Sequence, residues 1–210
     1  MISADRMKKI LIAALALLML CSVAACGQKK AEPQVGSWAL NDSAELSADA
    51  QKAFDKAVEG LMGVNYSAAA LLGTQLVSGT NYCVLCEATV VYPDAQPYWA
   101  LVYIYADLQG NAKVTNIVPL DPGVILEAGK VEPSQPQGGM LGSWKLDRDS
   151  SIAADGAVIH LASQLVSGTN HCVLCKGWNL VFVYENLEGK TEVLNTVPLD
   201  IAALSQPAAE

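Results

Sequence analysis

The chain predicts an α+β protein: one helix across a curved antiparallel sheet of four to five strands, then a truncated, mainly β repeat of the same unit. Three observations predict it. The tract QLVSGTNYCVLC, Gln75 to Cys86, returns almost unchanged as QLVSGTNHCVLC, Gln164 to Cys175, and WALVYIYADLQG from Trp99 returns as WNLVFVYENLEG from Trp178. Each copy opens on Gly-Ser-Trp (Gly36 and Gly142) and closes on Val-Pro-Leu-Asp, so the chain is one duplicated structural unit. Ala50, Phe54, Ala57, Val58, Leu61 and Met62 recur at intervals of three and four, the spacing of an amphipathic helix. Beyond them the residues turn β-branched and aromatic and are broken by turn signals, as strands are.

The elements follow in order. Residues 1–25 read as a signal: Arg6, Lys8 and Lys9 precede an apolar run, Ile10–Leu20, too short to span a bilayer. Val23-Ala24-Ala25-Cys26-Gly27 resembles the lipobox of bacterial lipoproteins, where the cysteine thiol takes a diacylglyceryl group. A secretory signal cut at Ala25 is the plainer alternative. The lipobox implies an extracytoplasmic protein held on the bacterial cell membrane through Cys26. Residues 26–35 are a polar tether, of which the ten residues to Gly36 reach at most about 35 Å.

The first module, 36–121, starts with a short strand at Gly36–Leu40. Ser43 or Ser47 then caps the helix, and Gly60 or Gly63 lies near its end. Strands are predicted over Tyr66–Gln75, Thr80–Tyr92, Trp99–Leu108 and Ala112–Pro119, with matching hairpin turns at Asp107–Asn111 and Asn186–Lys190. Residues 122–141 hold three prolines and four glycines and read as a linker. The second module, 142–200, has 19 residues between Trp144 and Gln164 where the first has 36 between Trp38 and Gln75, too few for a full helix. Its sheet must cover its apolar face by packing on the first module or on another copy of the chain. Residues 201–210 read as a tail.

Net charge is −8, and without residues 1–25 the chain keeps ten basic and twenty acidic side chains. That balance, with no basic stripe, argues against a nucleic-acid partner.

One helix followed by antiparallel strands, with Gln-x-Val-x-Gly between the first two, is similar to the cystatin family. Gln75-Leu76-Val77-Ser78-Gly79-Thr80-Asn81-Tyr82 resembles the first-hairpin motif of stefins and plant cystatins, and Gly36-Ser37-Trp38 resembles the glycine-aromatic opening of several cystatins. The resemblance covers Gly36 to Asp121 in full and Gly142 to Asp200 in reduced form. It implies reversible, non-covalent inhibition of papain-like cysteine proteases by a wedge. The wedge would be Gly36, the hairpin Gln75, Leu76, Val77, Ser78 and Gly79, and Leu108 on the second hairpin. Gly79 would allow a tight turn and close approach to enzyme backbone, and Asp107 adds a charge that an apolar cleft would have to accept. Gln164, Leu165, Val166, Ser167, Gly168 and Leu187 would form a second wedge. The alternative is a non-inhibitory surface binding or adhesion module on the same scaffold.

Cys83-Val-Leu-Cys86 and Cys172-Val-Leu-Cys175 tempt a zinc reading, but residues three apart in a strand point to opposite faces and cannot share an ion. Disulfides between the two modules and buried free thiols are the other readings for Cys83, Cys86, Cys172 and Cys175. His160 reads as a packed or hydrogen-bonded residue and His171, standing where the first copy has Tyr82, as a surface or strand substitution. No serine elbow, phosphate loop or spaced carboxylate pair points to an enzyme, and nothing calls for a cofactor or metal.

Overall fold

The computed structural model describes residues 35–131 and 142–206, which belong to one compact unit, Pro33–Glu210. The leader, Cys26, nearly all of the tether, residues 132–141 of the linker and the last four residues lie outside the described residues.

The first sheet has five antiparallel strands in chain order: β1 (Trp38–Leu40), β2 (Val64–Val77), β3 (Gly79–Val90), β4 (Tyr98–Ala106) and β5 (Ala112–Leu120). Helix α1 (Ala48–Val58) leaves between β1 and β2. It starts where the Ser47 hydroxyl accepts the amide of Ala50 at 3.2 Å, satisfying one of the free N–H groups of the first turn. Ala50, Ala53, Phe54 and Ala57 form its buried face. The helix stops at Val58, so Leu61 and Met62 do not extend the apolar face, and Met62 is 96 % exposed.

Strand alternation sorts the sheet into two faces. Tyr82, Val84 and Cys86 on β3, with Val102 and Ile104 on β4, meet α1. Cys83, Leu85, Leu101 and Tyr103 point the other way into a second core. Bulges between Ala68 and Ala70 and between Leu71 and Gly73 adjust that alternation along β2.

The second sheet runs β6 (Lys145–Leu146), β7 (Ala157–Val166), β8 (Gly168–Cys175), β9 (Asn179–Glu185) and β10 (Thr191–Pro198), again in chain order. Its inner face sends Cys172, Leu174, Leu180 and Phe182 into the core that the first sheet fills with Leu85, Leu101 and Tyr103. The short module thus covers one apolar face on the first module, giving three layers: helix, sheet, sheet. Each fully buried leucine or phenylalanine of this shared core stabilises the pair of sheets by about 1.5–3 kcal/mol.

Two helices stand where the sequence suggested irregular chain. Helix α2 (Pro122–Ala128) opens the linker, capped by the Asp121 carboxylate, which accepts from the amides of Gly123 at 2.9 Å and Val124 at 3.3 Å. Proline in its first turn is favourable because that N–H has no helical partner, and Gly129 closes the helix in a left-handed conformation (φ 67°). Helix α3 (Ile201–Leu204) follows β10, capped by Asp200. Each anchors by one isoleucine, Ile125 and Ile201, buried in the shared core.

Candidate functional site

The register of the first sheet gathers three segments at one end. Trp38 pairs with Gln75, the β2–β3 hairpin turns at Val77–Gly79, and Thr80 pairs with Ala106 just before the β4–β5 turn. Residues 35–37, 76–79 and 107–110 therefore share one edge. At roughly 4.8 Å per strand step, five strands make that edge about 19 Å long.

Hydrogen bonds tie the three segments into one ridge. The Gly36 amide donates to the Leu76 carbonyl at 2.9 Å. The Gln75 side chain donates to the Gly36 carbonyl at 2.9 Å while its own oxygen accepts from the Asn81 amide group at 2.6 Å. Gln75 is thus an internal strut, half-buried. The Tyr105 hydroxyl, from β4, donates to the Ser78 carbonyl at 2.9 Å and fixes the hairpin tip. Asn81 belongs to the hairpin motif but its bond to Gln75 could not be read from it, and Tyr105 does not stand out in the sequence alone; the signal for both is that the second copy repeats the arrangement.

Gly79 makes the tight turn expected of it at positive φ, and does so from a buried position. It is buried, with φ 142°, and a Cβ there would run into the Ala106 carbonyl and lie 2.9 Å from the Tyr105 ring. The glycine lets the first hairpin close onto β4. The exposed tips are Gly36, Leu76 (44 % exposed), Ser78 and Leu108 (80 %), with Val77 half-buried.

Asp107 spends its charge inside its own turn. Its carboxylate accepts from the amides of Gln109 at 2.9 Å and Asn111 at 2.7 Å and from the Asn111 side chain at 2.8 Å. The Asn111 side chain, then the two backbone amides and the nearby Lys56 ammonium, hold this carboxyl below the usual carboxylate range. Lys56 from the last turn of α1 also donates to the Gly110 carbonyl at 2.9 Å, so the helix braces the second hairpin.

The second sheet builds the same ridge from the same residue types. Gln164 donates to the Gly142 carbonyl at 2.7 Å and accepts from Asn170 at 2.8 Å, and Tyr184 donates to the Ser167 carbonyl at 2.8 Å. Gly168 is buried against Tyr184 with φ 144°. Leu165, Val166 and Leu187 are exposed, Leu187 by 88 %, and Ser167 is exposed beside them.

Among the described residues the cysteines are four separate buried thiols, Cys83, Cys86, Cys172 and Cys175, which matches the buried-thiol reading rather than the disulfides between the modules. Geometry gives the reason for half of them. Cys86 lies under α1 and Cys172 between the sheets, while Cys175 follows Cys172 by three strand positions and so faces away from the first sheet. Cys83 and Cys172 share the core between the sheets but stay unjoined. Burial pushes the Cys83 thiol up to about 12, against a smaller opposing effect of the Tyr103 hydroxyl, and burial also raises Cys86, Cys172 and Cys175. All four are neutral near pH 7 and poor nucleophiles.

His171 is a strand substitution within β8 and not a surface one. It is 5 % exposed on the outer face of the second sheet, beside His160. His160 Nδ1 lies 2.6 Å from the Asp147 carbonyl and must carry a proton; its Nε2 lies 2.9 Å from His171 Nδ1, a contact that holds one proton. His171 Nε2 faces Glu185 at 3.3 Å without an aligned hydrogen bond. Burial first, then His160, holds the His171 ring below the usual imidazole range, against the pull of Glu185 and Asp147. The loop after β6 lies along this face and leaves a hollow of about 360 Å³ lined by Arg148, Ser150–Ile152 and Ala157–His160.

Compared with family models, curated proteins and solved structures, the chain matches none of them.

Proposed function

We propose that the ridge of Gly36, Leu76–Ser78 and Leu108 plugs the active-site cleft of papain-like cysteine proteases and inhibits them reversibly, without covalent chemistry. The observation that carries this reading is the pairing of exposed apolar tips with a rigid, internally hydrogen-bonded base. Leu76 and Leu108 offer apolar surface to cleft walls, and Gln75 and Tyr105 hold the backbone so that little entropy is lost on binding. Asp107, turned into its own loop, does not bring an unsatisfied charge to the contact. A helix across one face of a five-stranded antiparallel sheet, with both hairpins and the first strand's start at one end, supports assigning a cystatin-like fold to this half. On the same reading Cys26 carries lipid and holds the protein on the outer side of a bacterial membrane; incorporation of labelled palmitate that is lost in Cys26→Ser tests this.

Papain titrated with the folded body Pro33–Glu210 loses activity in proportion to added protein and regains it on dilution. Full activity at micromolar protein would contradict inhibition and leave the surface-adhesion reading in its place.

A further inference from the structure

We infer that the chain carries two ridges facing opposite ways from one rigid body, and so holds two protease molecules at once. The inference rests on the proposed function for the identity of the occupant; the placement of the ridges is geometric.

The two sheets stack head to tail. Glu87 pairs with Trp99 at the end of the first sheet remote from its ridge, seven pairs beyond Thr80 and Ala106. That remote end touches the base of the second ridge. The Trp99 indole donates to the Leu161 carbonyl at 2.6 Å, Arg148 lies 3.5 Å from Glu87 and 5.6 Å over the Trp99 ring, and a Cβ on Gly123 would meet the Trp144 ring at 3.1 Å. The converse holds at the other pole. Ile201 follows the end of β10 that is remote from the second ridge, and its side chain covers Gly73, two pairs from Trp38 and Gln75. The Tyr103 hydroxyl donates to the Ile201 carbonyl at 2.9 Å in the same region.

The first ridge thus sits over the foot of the second sheet, and the second ridge over the foot of the first. They are separated by at least the nine residues of β4, about 30 Å. Occupants entering from opposite poles do not collide.

The second ridge lacks a helix behind it, yet its support is the same shared core. Trp144 packs edge-on against Phe182 at 5.8 Å and 80°, as Trp38 packs against Tyr103 at 5.7 Å and 80°. The sheet that backs each ridge is therefore the other ridge's sheet. This explains how a module too short for a helix can keep a stiff edge.

The test counts papain molecules bound to the body Pro33–Glu210 by sedimentation with excess enzyme. Two per chain are expected, falling to one in Leu76→Glu/Leu108→Glu, to one in Leu165→Glu/Leu187→Glu and to none when all four are changed. These side chains are 44–88 % exposed, so the core is untouched. Saturation at one papain, with the second pair of changes silent, would overturn the two-site inference and leave the first ridge standing. Saturation at one papain, abolished by either pair, would overturn it in favour of a joint site. No papain bound would remove the proposed function itself, and the inference with it.

Discussion

The Trp99 indole donates its N–H to the Leu161 carbonyl at 2.6 Å, whereas Trp178, its counterpart in the repeat, buries its N–H without a partner. The duplicated indoles therefore do unequal work: one ring is pinned across the two sheets by a hydrogen bond, the other ring is held by packing. Replacing each by phenylalanine removes similar volume but only one hydrogen bond. Trp99→Phe should destabilise by about 1 kcal/mol more than Trp178→Phe, read from denaturant midpoints at equal slope. Equal losses would mean that the inter-sheet bond contributes nothing.

Gly79 and Gly168 should be structural rather than interfacial. Gly79→Ala or Gly168→Ala strains a φ near 140° and pushes on β4 or β9, costing about 2–3 kcal/mol. Gly36→Ala meets open space and only the positive φ of 87°, costing about 1 kcal/mol. Thermal unfolding of the three variants distinguishes them; stable Gly79→Ala protein with weakened papain binding would return the glycine to the docking surface.

Acid should weaken the fold in two steps. The unfolded His171 takes a proton near pH 6.5, while the folded ring, desolvated and beside His160, takes it at lower pH. Below about 6.5 the unfolded chain binds more protons, so stability falls as pH falls. The carboxyl of Asp147 is shifted in the same direction, from a lower starting point: burial alone would raise it, but the Ser150 hydroxyl and amide, Ser163 and His160 bring it down to about 2. Its contribution is present above about pH 4 and disappears toward pH 2. Urea midpoints from pH 8 to 5 should drop in the native protein and flatten in His171→Tyr, which restores the residue of the first copy. An unchanged slope in that variant would place the titration elsewhere.

With burial pushing the Cys83 thiol up to about 12, the group stays protonated at pH 8. The four thiols of the body Pro33–Glu210 should resist a disulfide reagent while folded and all react after unfolding. Non-reducing mass mapping that found any of them paired would contradict the buried-thiol arrangement.

The helix, the strands and both hairpin turns were legible because each obeys a local rule. Spacing of three and four marks Ala50, Phe54 and Ala57; alternation marks the strands; Asp107 and Asn186 mark the turns. The limit of the helix was not legible, because Leu61 and Met62 keep the helical spacing beyond Val58, where the chain turns away through Gly63. Helix α2 hid in a proline- and glycine-rich stretch because Pro122 and Gly129 punctuate a helix as readily as they interrupt one. The residues of the ridge could be named in advance, but their division of labour could not. Gly79 lies against Tyr105, Gln75 against Gly36 and Asn81, and such contacts depend on register across strands. The burial of His171 and the head-to-tail stacking of the two sheets depend on long-range packing, which no local pattern encodes.

Hydrogen exchange of the body Pro33–Glu210 with and without papain tests the central claim most directly. Added papain should slow exchange at residues 76–79 and 107–110, and papain whose cleft is already blocked by a covalent inhibitor should leave them unchanged. Slowed exchange confined to α1 or to the sheet edges, or protection at the ridge that persists with blocked papain, would contradict it.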